Sequence, residues 1–407
     1  MELSKKGLYR HPWSSNDNPI GWLEVTDTCD LHCRGCYREQ LTGHRPLSEL
    51  REEIELFRDF RRCDNISIAG GEPLTHPEIG AIVRHVRDCG MKPVILTNAN
   101  YLTPEVIESL KKEGLAGFTV HVDSQQGRKD YKGGGEAELN LFRQKVADMV
   151  HEAGDLYLSF GATIYHENIA QIPDILNWAR QNVDRVHGLV LIAFRGVPML
   201  DDVSYIQGDA DVVVDNLQYR SEAVDEIDIT SRDIWKTVQK VSPNLHSGAY
   251  LGGTSDHRSF KWIITCQICT ENKVLGYVGP RTMELQQMLY HLFNGRYLAY
   301  DVDGTNLPAL AMVGPSVVDP VFRKALMNLG PEVLKDPLLL LKKVFLQSIV
   351  IVQPPDLLPD GRSDMCDSCP DMTFYNGTMV NCCRMDECRK YGGFLAANMK
   401  GFKKQQA

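Results

Sequence analysis

Short apolar runs alternate with amphipathic stretches along the first half of the chain. The runs are rich in β-branched residues, and the stretches between them repeat apolar positions every three to four residues. Because strands that alternate with helices pair in parallel, the pattern predicts a parallel β/α architecture. The predicted strands are 21–26, 65–69, 92–97, 117–123, 157–165 and 186–194, and the predicted helices are 47–61, 77–88, 104–112, 139–152 and 169–182.

The alternation is lost beyond about residue 200. Thr230-Ser-Arg-Asp233 has the form of a capping box, which predicts that a helix begins there. Residues 282–293 predict a further helix, which ends near Gly295. The predicted fold class is α/β, with six strand–helix units and a Cys-rich C-terminal extension. We expect three segments: a barrel over 1–200, a linking or substrate-covering region over 201–355 and a Cys-rich region over 356–407.

Charge and hydropathy exclude some classes of function. The 407 residues carry a net charge of −9, with a pI near 5.8 and no long block of Lys and Arg, so we expect no nucleic-acid partner. The N-terminus lacks the apolar core of a secretion signal. The most apolar stretch, 337–352, is interrupted by Lys342, Lys343 and Gln347, so we expect no transmembrane segment. These features predict a soluble, cytoplasmic protein.

The twelve cysteines are grouped as metal ligands are. A disulfide framework is typical of small secreted proteins, and this chain has neither property. Cys63 and Cys89 stand alone, and we interpret them as buried thiols. The candidate metal ligands are Cys29, Cys33, Cys36, Cys266, Cys269, Cys366, Cys369, Cys382, Cys383 and Cys388.

The first group has the spacing CxxxCxxC, and Gly70-Gly71-Glu72-Pro73 follows it. Three thiolates hold three corners of a four-iron cluster, so the fourth iron is left open for a ligand. Zinc is the alternative, but structural zinc sites are closed by four ligands and no fourth Cys or His follows at zinc-ribbon distance. His32, between two of the cysteines, is interpreted as a loop residue.

The CxxxCxxC motif, the aromatic Tyr37 after it and the Gly-Gly-Glu-Pro run together resemble the radical S-adenosylmethionine (SAM) superfamily, over roughly residues 20–195. The resemblance implies a partial (β/α)6 TIM barrel in which the open iron of a 4Fe–4S cluster binds the amino and carboxylate groups of SAM. It also implies an enzyme. A one-electron donor, ferredoxin or flavodoxin, reduces the cluster, and the 5′-deoxyadenosyl radical released from SAM abstracts hydrogen from a substrate.

Polar residues follow the predicted strands, at the end of a barrel where functional groups gather. Gly70 and Gly71 would let a ligand approach the backbone, and the resemblance implies that Glu72 meets the SAM amino group. Tyr37 is the candidate for adenine contact. The candidates for ribose or carboxylate contacts are Asn98, Asp123 and Ser124, each of which is equally interpreted as a strand-end cap. The candidate catalytic residues near the substrate are His121, Tyr165 and Arg195; Arg195 is equally interpreted as one half of a structural ion pair.

The C-terminal cysteines form the second candidate metal site. Cys366, Cys369, Cys383 and Cys388 supply four thiolates, enough to close a four-iron cluster; adding Cys266, Cys269 and Cys382 gives seven, enough for a second cluster with one open iron. A zinc knuckle is the alternative. The tail resembles the auxiliary-cluster extensions called SPASM and twitch domains, although its spacing departs from the usual SPASM pattern. We expect one or two auxiliary 4Fe–4S clusters.

Three substrate classes remain open. We favour a small or medium-sized metabolite, oxidised, rearranged or joined to another group beside an auxiliary cluster. A peptide is disfavoured because the 28 residues before Cys29 are too few for a peptide-recognition domain. A lipid-like chain is suggested by the apolar residues 338–341 and 345–352, which are also typical of a core helix and strand. A non-catalytic iron–sulfur carrier is the alternative from another class.

Overall fold

The computed structural model describes residues 3–39, 41–131, 133–194, 197–198, 204–214, 220–221, 229–271, 273–300, 306–308, 312–340, 343–358 and 361–398. The strands are β1 (Tyr9–Arg10), β2 (Ile20–Thr26), β3 (Asn65–Gly70), β4 (Lys92–Thr97), β5 (Gly117–His121), β6 (Tyr157–Ile164), β7 (Gly188–Ala193), β8 (Val197–Pro198), β9 (Ser204–Gln207), β10 (Ala210–Val212), β11 (Arg220–Ser221), β12 (Ala249–Gly252), β13 (Phe260–Thr270), β14 (Lys273–Tyr277), β15 (Asn306–Pro308), β16 (Lys343–Val352), β17 (Asp356–Leu357), β18 (Ser363–Asp364), β19 (Met372–Tyr375), β20 (Thr378–Asn381) and β21 (Ala396–Asn398).

The α-helices are α1 (Leu47–Leu56), α2 (Ile79–Asp88), α3 (Pro104–Lys112), α4 (Glu136–Ala153), α5 (Ile172–Gln181), α6 (Ser231–Val241), α7 (Pro280–Asn294), α8 (Val313–Val318), α9 (Pro320–Lys335) and α10 (Met385–Tyr391). A π-helical turn, Phe57–Arg61, continues α1, and short 3₁₀ turns lie at Pro73–Thr75, Lys129–Tyr131, Ile169–Gln171, Pro337–Leu340 and Cys382–Arg384. No helix within the described ranges is both long and apolar enough to cross a membrane.

Strands β2 to β7 pair in parallel in chain order, with α1 to α5 between them. Their inward-packed apolar residues and the helices form one core, in which Ile66, Ile82 and Phe118 are fully buried. The predicted α/β partial barrel is therefore confirmed. The capping box before α6 also forms: the Thr230 hydroxyl and the Asp233 carboxylate each accept the other residue's backbone N–H.

The sheet does not stop at β7. Strand β16 pairs with β7 in parallel, and β13 and β12 follow in antiparallel pairing. Strand β1 pairs with β12 at the far edge, and β14 and β15 pair with β13 and β16. Strands from residues 249–352 thus extend the sheet formed by the first 200 residues. The division of the chain into three domains stays a prediction.

The C-terminal cysteine segment closes the barrel between its two edge regions. At the β12 edge, Cys366 forms a β-bridge with Gly253 and the Asp367 N–H donates to the Gly252 carbonyl at 2.9 Å. Toward the β2 edge, the Asn18 side chain donates to the Ser368 carbonyl at 3.2 Å. Residues 366–370 therefore complete a wall that the main sheet leaves open.

Candidate functional site

A cavity of about 1800 Å³ occupies the barrel, and both groups of cysteines reach it. Cys29, Cys33 and Cys36 line it at the carboxyl ends of the parallel strands, and Asp371 and Cys383 line it from the C-terminal region. Because single ligand sites usually measure roughly 300–1000 Å³, the cavity has room for two ligands side by side.

The cysteine loop leaves β2 at its carboxyl end and is tightly packed. The Cys36 N–H donates to the Cys33 carbonyl at 3.2 Å, which forms a turn between the two thiols. A Cβ at Gly35 would lie 2.6 Å from the Tyr165 hydroxyl oxygen, so glycine is needed there. The sequence therefore places three thiols in one turn against the barrel end.

The three thiols suit a cluster with one open iron. Burial, more than any charge, raises the pKa of Cys29, Cys33 and Cys36, so the thiols are protonated until a metal binds. Among the residues that the structure describes, no three His, Cys, Asp or Glu side chains converge as a single metal ion requires. Three thiolates leave one iron of a four-iron cluster open, whereas a structural zinc site is closed by four ligands, which favours the cluster.

Gly70 and Gly71 line the cavity, as expected. The absence of a Cβ, however, makes room for the chain's own backbone rather than for a ligand. A Cβ at Gly70 would overlap the Thr26 carbonyl oxygen, and one at Gly71 would overlap the Thr28 carbonyl oxygen. Gly70 also has a φ of +128°. The N–H of Gly71 donates to Thr26 at 2.7 Å. The glycines therefore let the turn after β3 lie against the cysteine loop.

Glu72 is fully buried, and it does not line the cavity among the described residues. Its carboxylate accepts the Thr97 hydroxyl at 2.7 Å and the N–H groups of Leu74 and Asn98 at 3.0 and 2.7 Å. Burial raises the pKa of this carboxyl to about 7. In the structure Glu72 fixes the end of β4 beside the turn after β3; its contact with SAM stays a prediction.

Asn98 and Tyr37 both line the cavity, as expected of SAM contacts. The Asn98 side-chain amide donates to Asp30 at 2.7 Å, and Asp30 directly follows Cys29. The backbone carbonyl of Asn98 accepts from Arg128 at 2.7 Å. Asp30 and Arg128 were not singled out from the sequence, since neither lies in a recognisable motif. They fix Asn98 next to the cysteine loop.

His121 lines the cavity and is held by two residues behind it. Its Nε2 lies 2.9 Å from the Asp123 carboxylate and 3.1 Å from the Thr163 hydroxyl. Asp123 is buried and also accepts the N–H of Gln125 at 2.8 Å. The Ser124 N–H donates to Glu136, at 2.9 Å. His121 is thus presented to the cavity, whereas Asp123 supports it from behind and Ser124 contributes a backbone hydrogen bond to Glu136.

Of the other two predicted catalytic residues, Tyr165 does not line the cavity among the described residues. Tyr165 is 1% exposed and packs under Gly35, beneath the cysteine loop. Burial raises the pKa of its phenol. Arg195 lies outside the described residues. Tyr165 is therefore placed to support the loop, and a role for Arg195 stays a prediction.

Cys266 and Cys269 lie on one strand, β13, but in different surroundings. Cys266 lines the cavity, whereas Cys269 packs with Val183 and Phe345 beside α5. Neither thiol belongs to the packed set around Cys369, described next. A role for Cys266 and Cys269 as metal ligands stays a prediction.

Four of the five C-terminal cysteines are packed together. The thiols of Cys366 and Cys369 are hydrogen-bonded, and the charge of Cys369 acts on Cys382 and Cys383. Burial is the main cause that raises the pKa of the Cys366, Cys382 and Cys383 thiols. Cys388 stands apart, with Glu387 and Arg384 as its charged neighbours. A set of four thiols suits a closed four-iron cluster, and a role for Cys388 as a ligand stays a prediction.

Helix α10 holds the N-terminal cysteine loop. The N–H of Glu39 donates to the Asp386 carboxylate at 2.6 Å, and Lys390 pairs with the Glu39 carboxylate at 3.0 Å. Arg38, two residues after Cys36, is buried and pairs with Asp27 and, at 3.9 Å, with Asp386. The partners are about 350 residues apart in the chain, so no local pattern could have paired them.

Comparison with known proteins finds a family match for part of the chain. Residues 23–179, which include the cysteine loop, the turn after β3 and β4 to β6, match the Radical SAM superfamily. This part of the chain is a radical SAM domain. The prediction from CxxxCxxC and Gly-Gly-Glu-Pro is confirmed, and the subfamily is open. Radical SAM proteins are enzymes that use a 4Fe–4S cluster and SAM, for which the N-terminal thiols and the cavity provide a fitting site.

Radical SAM relatives resemble only part of the chain. The AdoMet-dependent heme synthase of Methanosarcina barkeri is 29% identical over 169 residues, which are 40% of this chain and 47% of the relative. The GTP 3′,8-cyclase of Marinobacter nauticus is 29% identical over 164 residues, 39% and 49% of the two chains. The match thus spans about half the length of these curated relatives. Streptococcus suis SuiB bound to the precursor peptide SuiA has 15% identity and a TM-score of 0.41, covering 56% of this chain and 46% of SuiB.

Proposed function

We propose that this protein is a radical SAM enzyme that acts on a small or medium-sized metabolite, with one auxiliary 4Fe–4S cluster beside the substrate. When bound, the N-terminal cluster and SAM would supply a radical that abstracts a hydrogen atom from the substrate. The observation that carries the proposal is the shared cavity, which Cys29, Cys33 and Cys36 line from one side and Cys383 from another.

The residues of the chain have separate parts in this proposal. Cys29, Cys33 and Cys36 would hold the first cluster, and Asn98 and Tyr37 would contact SAM at the same strand ends. His121, fixed by Asp123, would orient the substrate or the ribose by hydrogen bonding. The barrel would exclude water from the reacting groups.

The C-terminal thiols would hold the auxiliary cluster. Cys366, Cys369, Cys382 and Cys383 are packed together in the segment that closes the barrel. A cluster there would lie against the cavity wall at Cys383, where it could accept an electron from the substrate or assist bond formation. An external one-electron donor of the ferredoxin or flavodoxin class is part of the proposal.

Formation of 5′-deoxyadenosine tests the activity. The full chain, reconstituted anaerobically with iron and sulfide, is mixed with SAM and dithionite, and the products are separated by chromatography. We expect 5′-deoxyadenosine and methionine from the wild type and none above background from the Cys29→Ala, Cys33→Ala, Cys36→Ala triple variant. Equal amounts of 5′-deoxyadenosine from the wild type and the triple variant would overturn the catalytic proposal and favour an iron–sulfur carrier.

One observation supports a second candidate, an enzyme acting on a lipid-like chain. The inward face of β16, with Leu346, Val350 and Val352, lines the cavity, and Trp262 and Ile264 of the neighbouring β13 continue the apolar wall. Such a wall would bind an extended hydrocarbon. It also suits the apolar part of a metabolite, because ligand sites are mostly apolar in general.

Two extracts separate these substrate classes. A polar metabolite extract and a total lipid extract from the same cells are added separately, and the rate of 5′-deoxyadenosine formation is measured. Stimulation by the polar extract alone is expected for the metabolite proposal. Stimulation by the lipid extract alone would replace the metabolite with the lipid-like chain.

A further inference from the structure

Arg61 is a fully buried arginine that reaches across the molecule to the C-terminal cysteines. Its Nη2 donates to the carbonyls of Cys369 and Pro370 at 2.7 and 3.0 Å. Its Nε donates to the Ile20 carbonyl at 2.8 Å, and its Nη1 donates to the Ser15 carbonyl at 2.9 Å. The guanidinium is therefore held by neutral carbonyl groups around the segment that carries Cys366 and Cys369.

This cation has no carboxylate at ion-pairing distance within the described part of the chain. A buried charge is costly unless an opposite charge compensates it. The ionisable groups that act on Arg61 are the thiols of Cys63 and Cys369 and the carboxyl group of Asp371. Of these, Cys369 belongs to the packed set of four thiols.

Arg143 provides a contrast within the same protein. It is also fully buried, but its guanidinium pairs with the buried Glu136 carboxylate and lies on α4, in the barrel's helical layer. The chain therefore pairs one buried arginine directly with a carboxylate, whereas the other lies beside thiols and the carboxyl group of Asp371. A four-iron cluster with four thiolate ligands would place a net negative charge beside Arg61.

We propose that Arg61 is the counter-charge of the auxiliary cluster and raises its reduction potential. The inference rests on the proposed auxiliary cluster. A fixed positive charge stabilises the reduced, more negative cluster over the oxidised one, while the added electron comes from the external donor and no bond changes. At a separation of several ångströms in a protein interior, this charge is worth a factor of about ten in the reduced-to-oxidised ratio, or about 59 mV.

A redox titration of the auxiliary cluster, measured without the first cluster, tests the inference. The Cys29→Ala, Cys33→Ala, Cys36→Ala triple variant of the full chain removes the first cluster. Its iron and acid-labile sulfide are measured, and its midpoint potential is then followed by electron paramagnetic resonance. Arg61→Gln, which keeps donors to the carbonyls but loses the charge, is expected to lower the midpoint potential; Arg61→Lys, which keeps the charge, is expected to leave it near that of the parent.

Two further variants separate charge from structure. Arg143→Gln is expected to destabilise the fold without changing the midpoint potential. Arg61→Met has a side chain of similar length without the charge, so its midpoint potential should fall as that of Arg61→Gln does. If Arg61→Gln does not retain iron, the midpoint potential of Arg61→Met is compared with that of the parent instead.

The outcomes are distinguishable. A triple variant without four iron atoms and four sulfides overturns the auxiliary cluster and the inference together. A loaded Arg61→Gln variant with an unchanged midpoint potential overturns only the role of Arg61. A larger change for Arg61→Lys than for Arg61→Gln would also overturn it, because hydrogen bonding rather than charge would then be decisive.

Discussion

The carboxylate of Asp386 accepts a hydrogen bond from the backbone N–H of Glu39 at 2.6 Å. The contact joins α10, next to the C-terminal cysteines, to the loop that carries Cys29, Cys33 and Cys36. Both partners of the neighbouring Arg38–Asp386 pair are about 5% exposed or less. The two groups of cysteines are therefore parts of one packed unit.

Asp386→Ala is expected to lower the free energy of unfolding by about 2 kcal/mol, because it leaves the half-buried Glu39 N–H unpaired and removes one acidic neighbour of the buried Arg38. Asp386→Asn, which keeps an acceptor oxygen, should lose less. Urea unfolding of the metal-free chain measures both. Asp88→Ala is the control: it removes an exposed pair with Arg87 and should cost at most about 0.5 kcal/mol. Equal losses for Asp386→Ala and Asp88→Ala would contradict the packing described.

Gly71→Ala is expected to destabilise the fold by about 2 kcal/mol and to weaken retention of iron, since a Cβ would overlap the Thr28 carbonyl oxygen of the cysteine loop. Gly80→Ala is the matched control. Gly80 lies in α2 with 3.5 Å of clearance, so alanine should be neutral or stabilise the helix by about 0.5 kcal/mol. Urea unfolding and iron content report both effects, and wild-type values for Gly71→Ala would show that the turn is not constrained as described.

Protonation of the His187 imidazole should make the free energy of unfolding depend on pH. Burial lowers the pKa of its imidazole to about 4, and its Nδ1 accepts the Leu158 N–H at 3.0 Å. The unfolded chain therefore binds more protons than the folded one between pH 6.5 and 4. Stability should be fully present above pH 6.5 and fall by up to about 3 kcal/mol as the pH is lowered to 4.

His187→Asn should reduce that slope in urea unfolding measured at several pH values. His257→Asn, at an exposed position distant from α4, serves as the control and should leave the slope unchanged. An identical slope in wild type and His187→Asn would contradict the prediction.

The packing of the C-terminal thiols predicts that the auxiliary cluster needs Cys369 and does not need Cys388. Cys369→Ala is expected to lose the iron of the auxiliary cluster, about half of the total, because Cys369 acts on the other three thiols of the set. Cys388→Ala is expected to retain it. Iron and sulfide analysis after anaerobic reconstitution checks both variants, and loss of iron in Cys388→Ala alone would replace Cys369 with Cys388 in the ligand set.

The barrel strands could be predicted because each is a local pattern. Strand β4 matches its predicted bounds, and β2, β3, β5 and β6 differ by a few residues at most. The apolar pattern of 343–352 was also visible. Its place beside β7 was not, since pairing between strands some 150 residues apart depends on the whole sheet.

Site residues could be predicted where spacing alone determines them. Three cysteines in one loop lie together whatever the loop conformation, but Cys266 and Cys269 lie on a strand, where neighbouring side chains alternate between faces. Gly70 and Gly71 were identified as necessary, yet the group that approaches them is the chain's own backbone. Arg61 and Asp386 lacked any local signal because their partners lie in a distant part of the sequence.

The wall that residues 366–370 complete is formed late in the synthesis of the chain. Synthesis proceeds from the N-terminus, so the first cysteine trio leaves the ribosome long before the piece that shuts the barrel. Until residue 370 has been translated, the interior stays accessible from the side. Closure of this wall therefore depends on contacts between residues some 350 positions apart in the chain.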